Sequence, residues 1–276
     1  MNKLSRDLVI RANIDIHTAY AAVYNNQPHF RPENQKKVRE IMRDLRSRIP
    51  QPRASFLDMA CGTGFLLHLA SDIFDELHGV DVTKAMTDQV DLTRGNITVH
   101  NCTVESTPFG GEYFDMVAAY SFMDHLYDLK PFLQEVFRVL KPGGIFYSDQ
   151  NANKEFWDAL AKLPESHPYD PIVRREIRAA LQTDEDLVKY GATAAMHRSA
   201  EYIKFNENGI NAMHFLELAR DVGFREVRVT YDWFLGQGSV MHDESPDAAQ
   251  TVERWARRVL PLSQHLFKYL RFDLVK

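Results

Sequence analysis

Between residues 54 and 150 the chain alternates short apolar runs with amphipathic segments, and this alternation limits the fold more than any other feature. The amphipathic segments predict helices near 64–74, 84–93 and 129–140. Strands that alternate with helices indicate a parallel sheet with crossover helices. The apolar runs predict five strands: "ASFLDMA", "ELHGVDV", "NITVHNC", "FDMVAAYS" and "GGIFYSDQ".

The remaining segments extend this pattern at both ends. Residues 1–50 predict helices that form a lid, and residues 151–208 predict a polar, helix-rich insertion that caps the sheet edge. The C-terminal part, residues 209–276, predicts one helix, "NAMHFLELARDVG", and two more strands, "REVRVTYDW" and "LRFDLVK". We therefore expect one α/β domain: a Rossmann-like, doubly wound, seven-stranded, mostly parallel sheet, whose core is residues 54–150, with N-terminal helices and a helical cap.

Composition narrows the function classes. The 276 residues carry a net charge of −5, which gives no electrostatic footprint for a nucleic-acid backbone, so no nucleic-acid partner is expected. The opening "MNKLSRDLVIRANIDI" is broken by charges and no apolar run is long enough to cross a bilayer, so we expect a cytoplasmic protein without a membrane partner. With only Cys61 and Cys102, neither a metal site nor a disulfide is expected.

The turn "ACGTG" after the first strand is a candidate ligand site, because doubly wound sheets bind ligands at the carboxyl ends of their strands. Gly62 and Gly64 let an anionic group approach the backbone. Asp81 ends the next strand, where a carboxylate can accept hydrogen bonds from both ribose hydroxyls. The pattern favours a nucleoside with an anionic tail; a dinucleotide would require glycine where the chain has Leu67.

Five motifs in sequence resemble the class I S-adenosylmethionine-dependent methyltransferases, in particular the small-molecule branch that includes ubiquinone and menaquinone enzymes. The likeness is strong over 54–150 and weak over 209–276. It implies S-adenosylmethionine as cofactor and methyl transfer to an oxygen or nitrogen of a small-molecule metabolite. The motifs are "LDMACGTG", "GVDVTKAM", "VESTPF", "FDMVAAYSFMDHLYD" and "FLQEVFRVLKPGG".

The resemblance also implies the cofactor residues. Asp58 and the turn through Gly62 and Gly64 would hold the methionine part, and Asp81 the ribose. The remaining implied cofactor contacts are Val82 against the adenine, the Val104 backbone at its edge, and Tyr120.

Two positions depart from the family pattern. Ala60 replaces a frequent glycine, a change that we expect to be mild because the position needs a small side chain more than a positive φ. Thr103 replaces an acidic residue that commonly accepts a hydrogen bond from the adenine amino group, and its hydroxyl is a weaker acceptor. Either the cofactor affinity is lower, or Glu105 substitutes.

Candidate catalytic residues follow the fourth strand. The family often places a histidine there, so His125 is the candidate general base; alternatively, it hydrogen-bonds neighbouring backbone and shapes the pocket. Asp124 could orient an imidazolium, or it could cap the next helix.

Aromatic residues of the N-terminal helix and of the cap are candidates for the substrate site. Tyr20 and Tyr24 share a helix face and could form a lid over the substrate or anchor the helix. Trp157, with Tyr169, Tyr190 and His197, could line a substrate chamber or only pack the cap.

Two other functions stay open at this point. The same cofactor pocket could direct attack on another sulfonium carbon, giving cyclisation or aminocarboxypropyl transfer. The chain could also bind the cofactor without catalysis, which the missing acid at Thr103 favours and the set Asp58, Gly62, Gly64 and Asp81 opposes. The sequence predicts no oligomeric state.

Overall fold

A seven-stranded sheet forms the centre of the computed structural model, which describes residues 4–164, 167–181 and 193–276. The strand order is β3-β2-β1-β4-β5-β7-β6; the first five strands are parallel, and β7 runs antiparallel between β5 and β6. This confirms the predicted doubly wound, mostly parallel sheet. The strands are β1 Ser55–Met59, β2 Glu76–Asp81, β3 Ile97–Asn101, β4 Phe114–Tyr120, β5 Leu140–Ala152, β6 Glu226–Phe234 and β7 Phe267–Val275.

Helices surround the sheet in the described part of the chain, and short 3₁₀ turns at Ala21–Asn26, Pro28–Phe30, Met123–His125 and Gln264–Leu266 connect them. The helices are α1 Arg6–Tyr20, α2 Pro32–Ser47, α3 Phe65–Ala70, α4 Lys84–Thr87, α5 Leu129–Val139, α6 Lys154–Ala161, α7 Pro171–Leu181, α8 Ala194–Ala200, α9 Tyr202–Asn206, α10 Ala212–Val222, α11 Gln237–Asp243 and α12 Pro246–Arg258.

The two faces of the sheet bury different helices. On one face α2 and α3 contribute Met42 and Leu67 to a cluster with Phe56 of β1. On the other face α5 and α10 contribute Phe132 and Phe215 to the larger cluster. Apolar side chains of the buried strands therefore point both ways, as expected of a parallel sheet covered on both faces.

Two predicted helices are shorter than expected, and two helices were missed. The helix predicted over 84–93 ends at Thr87; beyond it the Asp91 carboxylate accepts a hydrogen bond from Thr93 N at 2.9 Å and forms a turn. α3 is also shorter than the predicted 64–74. Sequence analysis did not predict α11 and α12; α12 is amphipathic, but the residues buried on these two helices are the small Ala249 and Ala256, which give only a weak apolar signal.

The cap predicted between β5 and β6 is helical where the structure describes it, over α6 to α9. α1 lies against α8 and α4 and so joins the N-terminal segment both to the cap and to the sheet. The predicted role of Tyr190 lies outside the described residues. Within those residues, no helix has the length and apolar character needed to span a membrane.

Candidate functional site

The turn between β1 and α3 is built from left-handed backbone. Ala60, Gly62 and Gly64 have φ values of 63°, 52° and 89°. The expectation that position 60 needs smallness more than a positive φ is therefore wrong: the position is left-handed, and alanine there costs about 1–2 kcal/mol relative to glycine. The turn keeps this conformation because Cys61 N donates to Val80 O at 3.0 Å, which ties it to β2.

A cavity opens beside this turn, at the carboxyl ends of the central strands. Its walls bring together seven of the nine predicted cofactor residues. These are Ala60, Gly62, Asp81, Val82, Thr103, Val104 and Tyr120.

Asp81 is fixed at the floor of the cavity by backbone donors. Gly62 N donates to Oδ2 at 3.0 Å and Thr83 N to Oδ1 at 2.7 Å. Burial raises the carboxyl pKa, while these two hydrogen bonds and His17 act in the opposite direction. Each oxygen still has a lone pair available for a hydroxyl donor in the cavity.

Two predicted cofactor residues, Asp58 and Gly64, do not line the cavity. The Asp58 side chain is buried at the end of β1, and the described residues give its carboxyl no hydrogen-bond donor. Burial, and secondly the charge of Asp81, raise its pKa well above the usual value. A Cβ added to Gly64 would meet His68 and Val90 at 3.0 Å, so this glycine serves the packing of the turn.

α1 forms the opposite wall of the cavity. Val9, Ile10, Asn13 and His17 line it from this helix, and Tyr24 lines it from the 3₁₀ turn that follows. Sequence analysis missed Asn13 and His17. Their spacing of four, continued by Tyr20 and Tyr24, places all four on related helical positions, and this was the available signal.

His125 lines the same cavity, as predicted for the candidate base. Its Nδ1 lies 2.7 Å from Asn13 Oδ1, and its ring lies 5.2 Å from that of His17. Burial, and secondly the nearby His17, lower its pKa to about 3. The imidazole is therefore neutral at pH 7.

Three predicted site residues lie outside the cavity walls. Both Asp124 oxygens accept from Ala152 N at 3.0 Å, so this carboxylate ties the segment after β4 to β5; burial raises its pKa to about 7. Tyr20 is buried beside Ile16 and stacks on Tyr24 at 5.5 Å, which makes it an anchor of α1. Trp157 packs within the cap against Phe156.

An acidic side chain lies close to Thr103 on the cavity wall. Thr103, Val104 and Glu105 all line the cavity, and Glu105 forms an ion pair with Arg6 at 3.2 Å. Glu105 stays the candidate for the substitute acceptor. Over the described residues, no three potential metal ligands form a cluster.

Comparison with known sequences finds methyltransferases among the proteins that are similar to this chain. Residues 57–148 match the family described as "Methyltransferase domain". The chain is 27% identical over 128 residues to a probable S-adenosylmethionine-dependent methyltransferase of Mycolicibacterium smegmatis, covering 46% of this chain and 48% of that protein. It is 31% identical over 118 residues to a ubiquinone biosynthesis O-methyltransferase of Cereibacter sphaeroides, covering 40% and 47%. The chain thus spans about half the length of the curated relatives it matches.

Solved structures support the fold. Phosphoethanolamine N-methyltransferase 2 of Haemonchus contortus, in complex with S-adenosyl-L-methionine, aligns with a TM-score of 0.58 and 17% identity over 100% of this chain and 60% of that one. The YcgJ protein of Bacillus aligns with a TM-score of 0.53 and 15% identity, covering 87% and 98%. Residues 57–148 therefore match a methyltransferase domain, and the chain shares its fold with these solved structures.

Proposed function

We propose that this chain transfers a methyl group from S-adenosylmethionine to an oxygen or nitrogen of a small molecule in the cavity between α1 and the sheet. The observation that carries the proposal is the Asp81 carboxylate, held by two backbone N–H groups and presented to the cavity beside the left-handed turn. A buried carboxylate oriented in this way is suited to a ribose.

The residues that line the cavity fit the nucleoside part of the cofactor. Asp81 would hold the ribose, Val82 would pack against the adenine, and the Val104 backbone would meet the adenine edge. Asp58 does not line the cavity, and burial raises the pKa of its carboxyl, so we assign it no contact with the methionine part. When bound, S-adenosylmethionine supplies an activated methyl group.

The protein then has to orient the acceptor, exclude water and accept a proton. Val9, Ile10 and Leu126 provide apolar walls at the end of the cavity where His125 lies. The neutral His125 imidazole can accept the acceptor's proton at Nε2. Its low pKa makes it a weak base, so the proton moves late, once the acceptor oxygen or nitrogen has become strongly acidic through methylation.

The cavity favours a small, uncharged acceptor. Among the described residues that line it there is no Lys or Arg, whereas Asp81 and Glu105 are acidic. Phosphate or carboxylate groups on the acceptor therefore find no counter-ion there. The small-molecule acceptor and a cytoplasmic location are part of this proposal.

Calorimetric titration with S-adenosylhomocysteine tests the cofactor site. We expect Asp81→Asn to weaken binding about 10- to 100-fold, since hydrogen bonds to a charged group are worth about 1.5–3 kcal/mol. The matched control is Asp115→Asn: Asp115 is also buried and bonded to backbone, at Ser55 N, but lies at the other end of β4. Equal affinity in wild type and Asp81→Asn would contradict the proposal.

Transfer itself is tested with cofactor labelled only in the methyl group and a size-filtered metabolite extract. We expect label in a small product, lost in His125→Leu, a variant whose cofactor affinity is retained. Label recovered in methylthioadenosine while an acceptor gains an aminocarboxypropyl group would show the alternative chemistry. Cofactor binding without any product would support a binding protein instead.

A further inference from the structure

Asn13 of α1 touches both imidazoles of the cavity. Its side-chain Oδ1 lies 2.7 Å from His125 Nδ1, and its main-chain oxygen lies 2.8 Å from His17 Nδ1. Its amide nitrogen Nδ2 faces three carbonyl oxygens, those of Val9 at 3.0 Å, Ala200 at 3.0 Å and His125 at 3.4 Å. Because carbonyls only accept, this environment fixes which end of the amide is the nitrogen.

The orientation of Asn13 decides the tautomer of each ring. Both of its oxygens can only accept a hydrogen bond, so Nδ1 of His17 and Nδ1 of His125 each carry the proton. A neutral imidazole then has an unprotonated Nε2. Neither Nε2 has a partner within the described residues, and neither atom is sealed in the protein interior.

We infer that Asn13 is a positioning residue that holds His17 and His125 as a pair of neutral imidazoles, whose two Nε2 lone pairs form an acceptor-only subsite for uncharged hydroxyl or amine groups. Both rings line the cavity, and their centroids lie 5.2 Å apart. A molecule that donates hydrogen bonds fits this pair, whereas a carboxylate or phosphate meets only lone pairs. His17 is thereby a second candidate base beside His125.

Burial keeps both rings neutral, and the charged groups around the pair act in opposite directions on the two pKa values. Burial lowers the pKa of each ring, and each ring also faces other titratable groups. Asp81 and Glu201 favour the protonated form of His17, while His197 opposes it; Glu201 favours that of His125, while Lys204 and His197 oppose it. Glu201 is itself paired with Lys204, which limits its effect on both rings.

The inference has one catalytic consequence, proton transfer to a ring during methyl transfer, and only this consequence rests on the proposed function. In that step a lone pair of the acceptor oxygen or nitrogen would form the bond to the methyl carbon while the S–CH3 bond breaks and leaves its electron pair on the sulfur, which departs as the neutral thioether. The acceptor's O–H or N–H bond would then break, its proton would form a new N–H bond at Nε2 of one ring, and that ring would become an imidazolium. The O–H or N–H electron pair would stay on the acceptor. The tautomers and the subsite exist without cofactor, so they can be tested separately from methyl transfer.

The ¹⁵N spectrum of the imidazoles, recorded without cofactor at pH 7, tests the tautomers directly. His17→Gln and His125→Gln assign the signals. In the wild type we expect both rings with Nδ1 protonated and Nε2 bare. An Nε2-protonated or averaged signal from either ring would overturn the inference.

Asn13→Leu separates the two contacts, because leucine removes Oδ1 and keeps the main-chain oxygen. We expect His125 to lose its fixed tautomer while His17 keeps its own, which also reports that α1 is intact. Asn96→Leu is the matched control, since within the described part of the chain the Asn96 side chain donates to Ser71 O and Phe74 O. If α1 unfolds in Asn13→Leu, Asn13→Ser replaces it, because a helical serine hydroxyl can donate to the Val9 carbonyl but is too short to serve His125 Nδ1. A His125 signal unchanged in the folded variant contradicts the role of Asn13.

Phenol, toluene and benzoate test the subsite as probes. We expect phenol to shift the Nε2 signals of both rings, and toluene and benzoate to leave them in place. A benzoate response equal to that of phenol, or no response to phenol, would overturn the acceptor-only subsite. Confirmed tautomers and phenol shifts without any methyl transfer would instead reject the proposed function and leave the subsite standing.

Discussion

His29 lies behind the cavity wall, among four aromatic rings. The ring centroids of Phe30, Phe65, Tyr24 and Tyr120 are 4.6, 5.5, 5.6 and 6.0 Å from its own. Burial lowers its pKa to about 4. Because the unfolded chain has a histidine pKa of about 6.5, only the unfolded state gains this proton between pH 7 and pH 5. His29 therefore makes the protein less stable as the pH falls through that window.

His29→Phe should remove this contribution. We expect the free energy of unfolding of the wild type to fall, relative to that of the variant, by up to about 2 kcal/mol between pH 7 and pH 5. Urea unfolding at both pH values gives this double difference, in which all other titrating groups cancel. The control is His214→Phe at an exposed position of α10. A double difference near zero would mean that the pKa of His29 is not lowered in the folded protein.

Most of the candidate cofactor residues that line the cavity could be placed there from the sequence, because they follow strands with a clear apolar pattern. Asp81 and Val104 fall at such strand ends, and the structure places both on the cavity. Asn13 and His17 could not be assigned in this way. Helical spacing shows that they share a face, but only the packing of α1 across the sheet shows which residues that face meets.

At the scale of elements, β2 and α3 approach most closely at Gly79. A Cβ there would lie 2.7 Å from Leu67 Cδ1 and 2.8 Å from Cys61 Sγ, both inside the core. Gly79→Ala should destabilise the fold by about 1–3 kcal/mol through overpacking. Gly110→Ala is the control, because a Cβ there meets nothing within 4 Å. Urea midpoints measure both; an unchanged Gly79→Ala midpoint would show that α3 can move away without cost.

Elements differ in how well the sequence marks them. The seven strands were predictable because each is an apolar or alternating run between turn signals, including the partly buried β3, β6 and β7. α12 is amphipathic, but its buried residues are two alanines, so it has few large apolar side chains to mark it in the sequence. α4 ends after four residues, although the sequence pattern predicts a longer helix, because the turn hydrogen bond from Thr93 N to the Asp91 carboxylate replaces helical hydrogen bonds there.

At the scale of the whole molecule, the cavity joins parts of the chain that are far apart in sequence. Its floor comes from the ends of β1, β2 and β4, and its opposite wall from α1. β6 and β7 form the far edge of the sheet and contribute nothing to it among the described residues. The alternation of strands and helices predicts the floor of the cavity. The position of α1 as its opposite wall depends on tertiary packing, which this alternation does not reveal.

Because the cavity lies between α1 and the strand ends, a bound ligand should stabilise these parts of the molecule more than β6 and β7. A ligand that bridges floor and wall must be released before α1 opens, so at 100 times its dissociation constant it adds about 2.7 kcal/mol to that opening. We expect saturating S-adenosylhomocysteine to slow amide hydrogen exchange in α1 and the Ala21–Asn26 turn by up to about 100-fold. At exchange times shorter than the time of global unfolding, the amide exchange rates of β6 and β7 should not change. Asp81→Asn at the same ligand concentration is the control and should show little protection; equal protection of α1 and β6 would mean that α1 is not a separately opening wall.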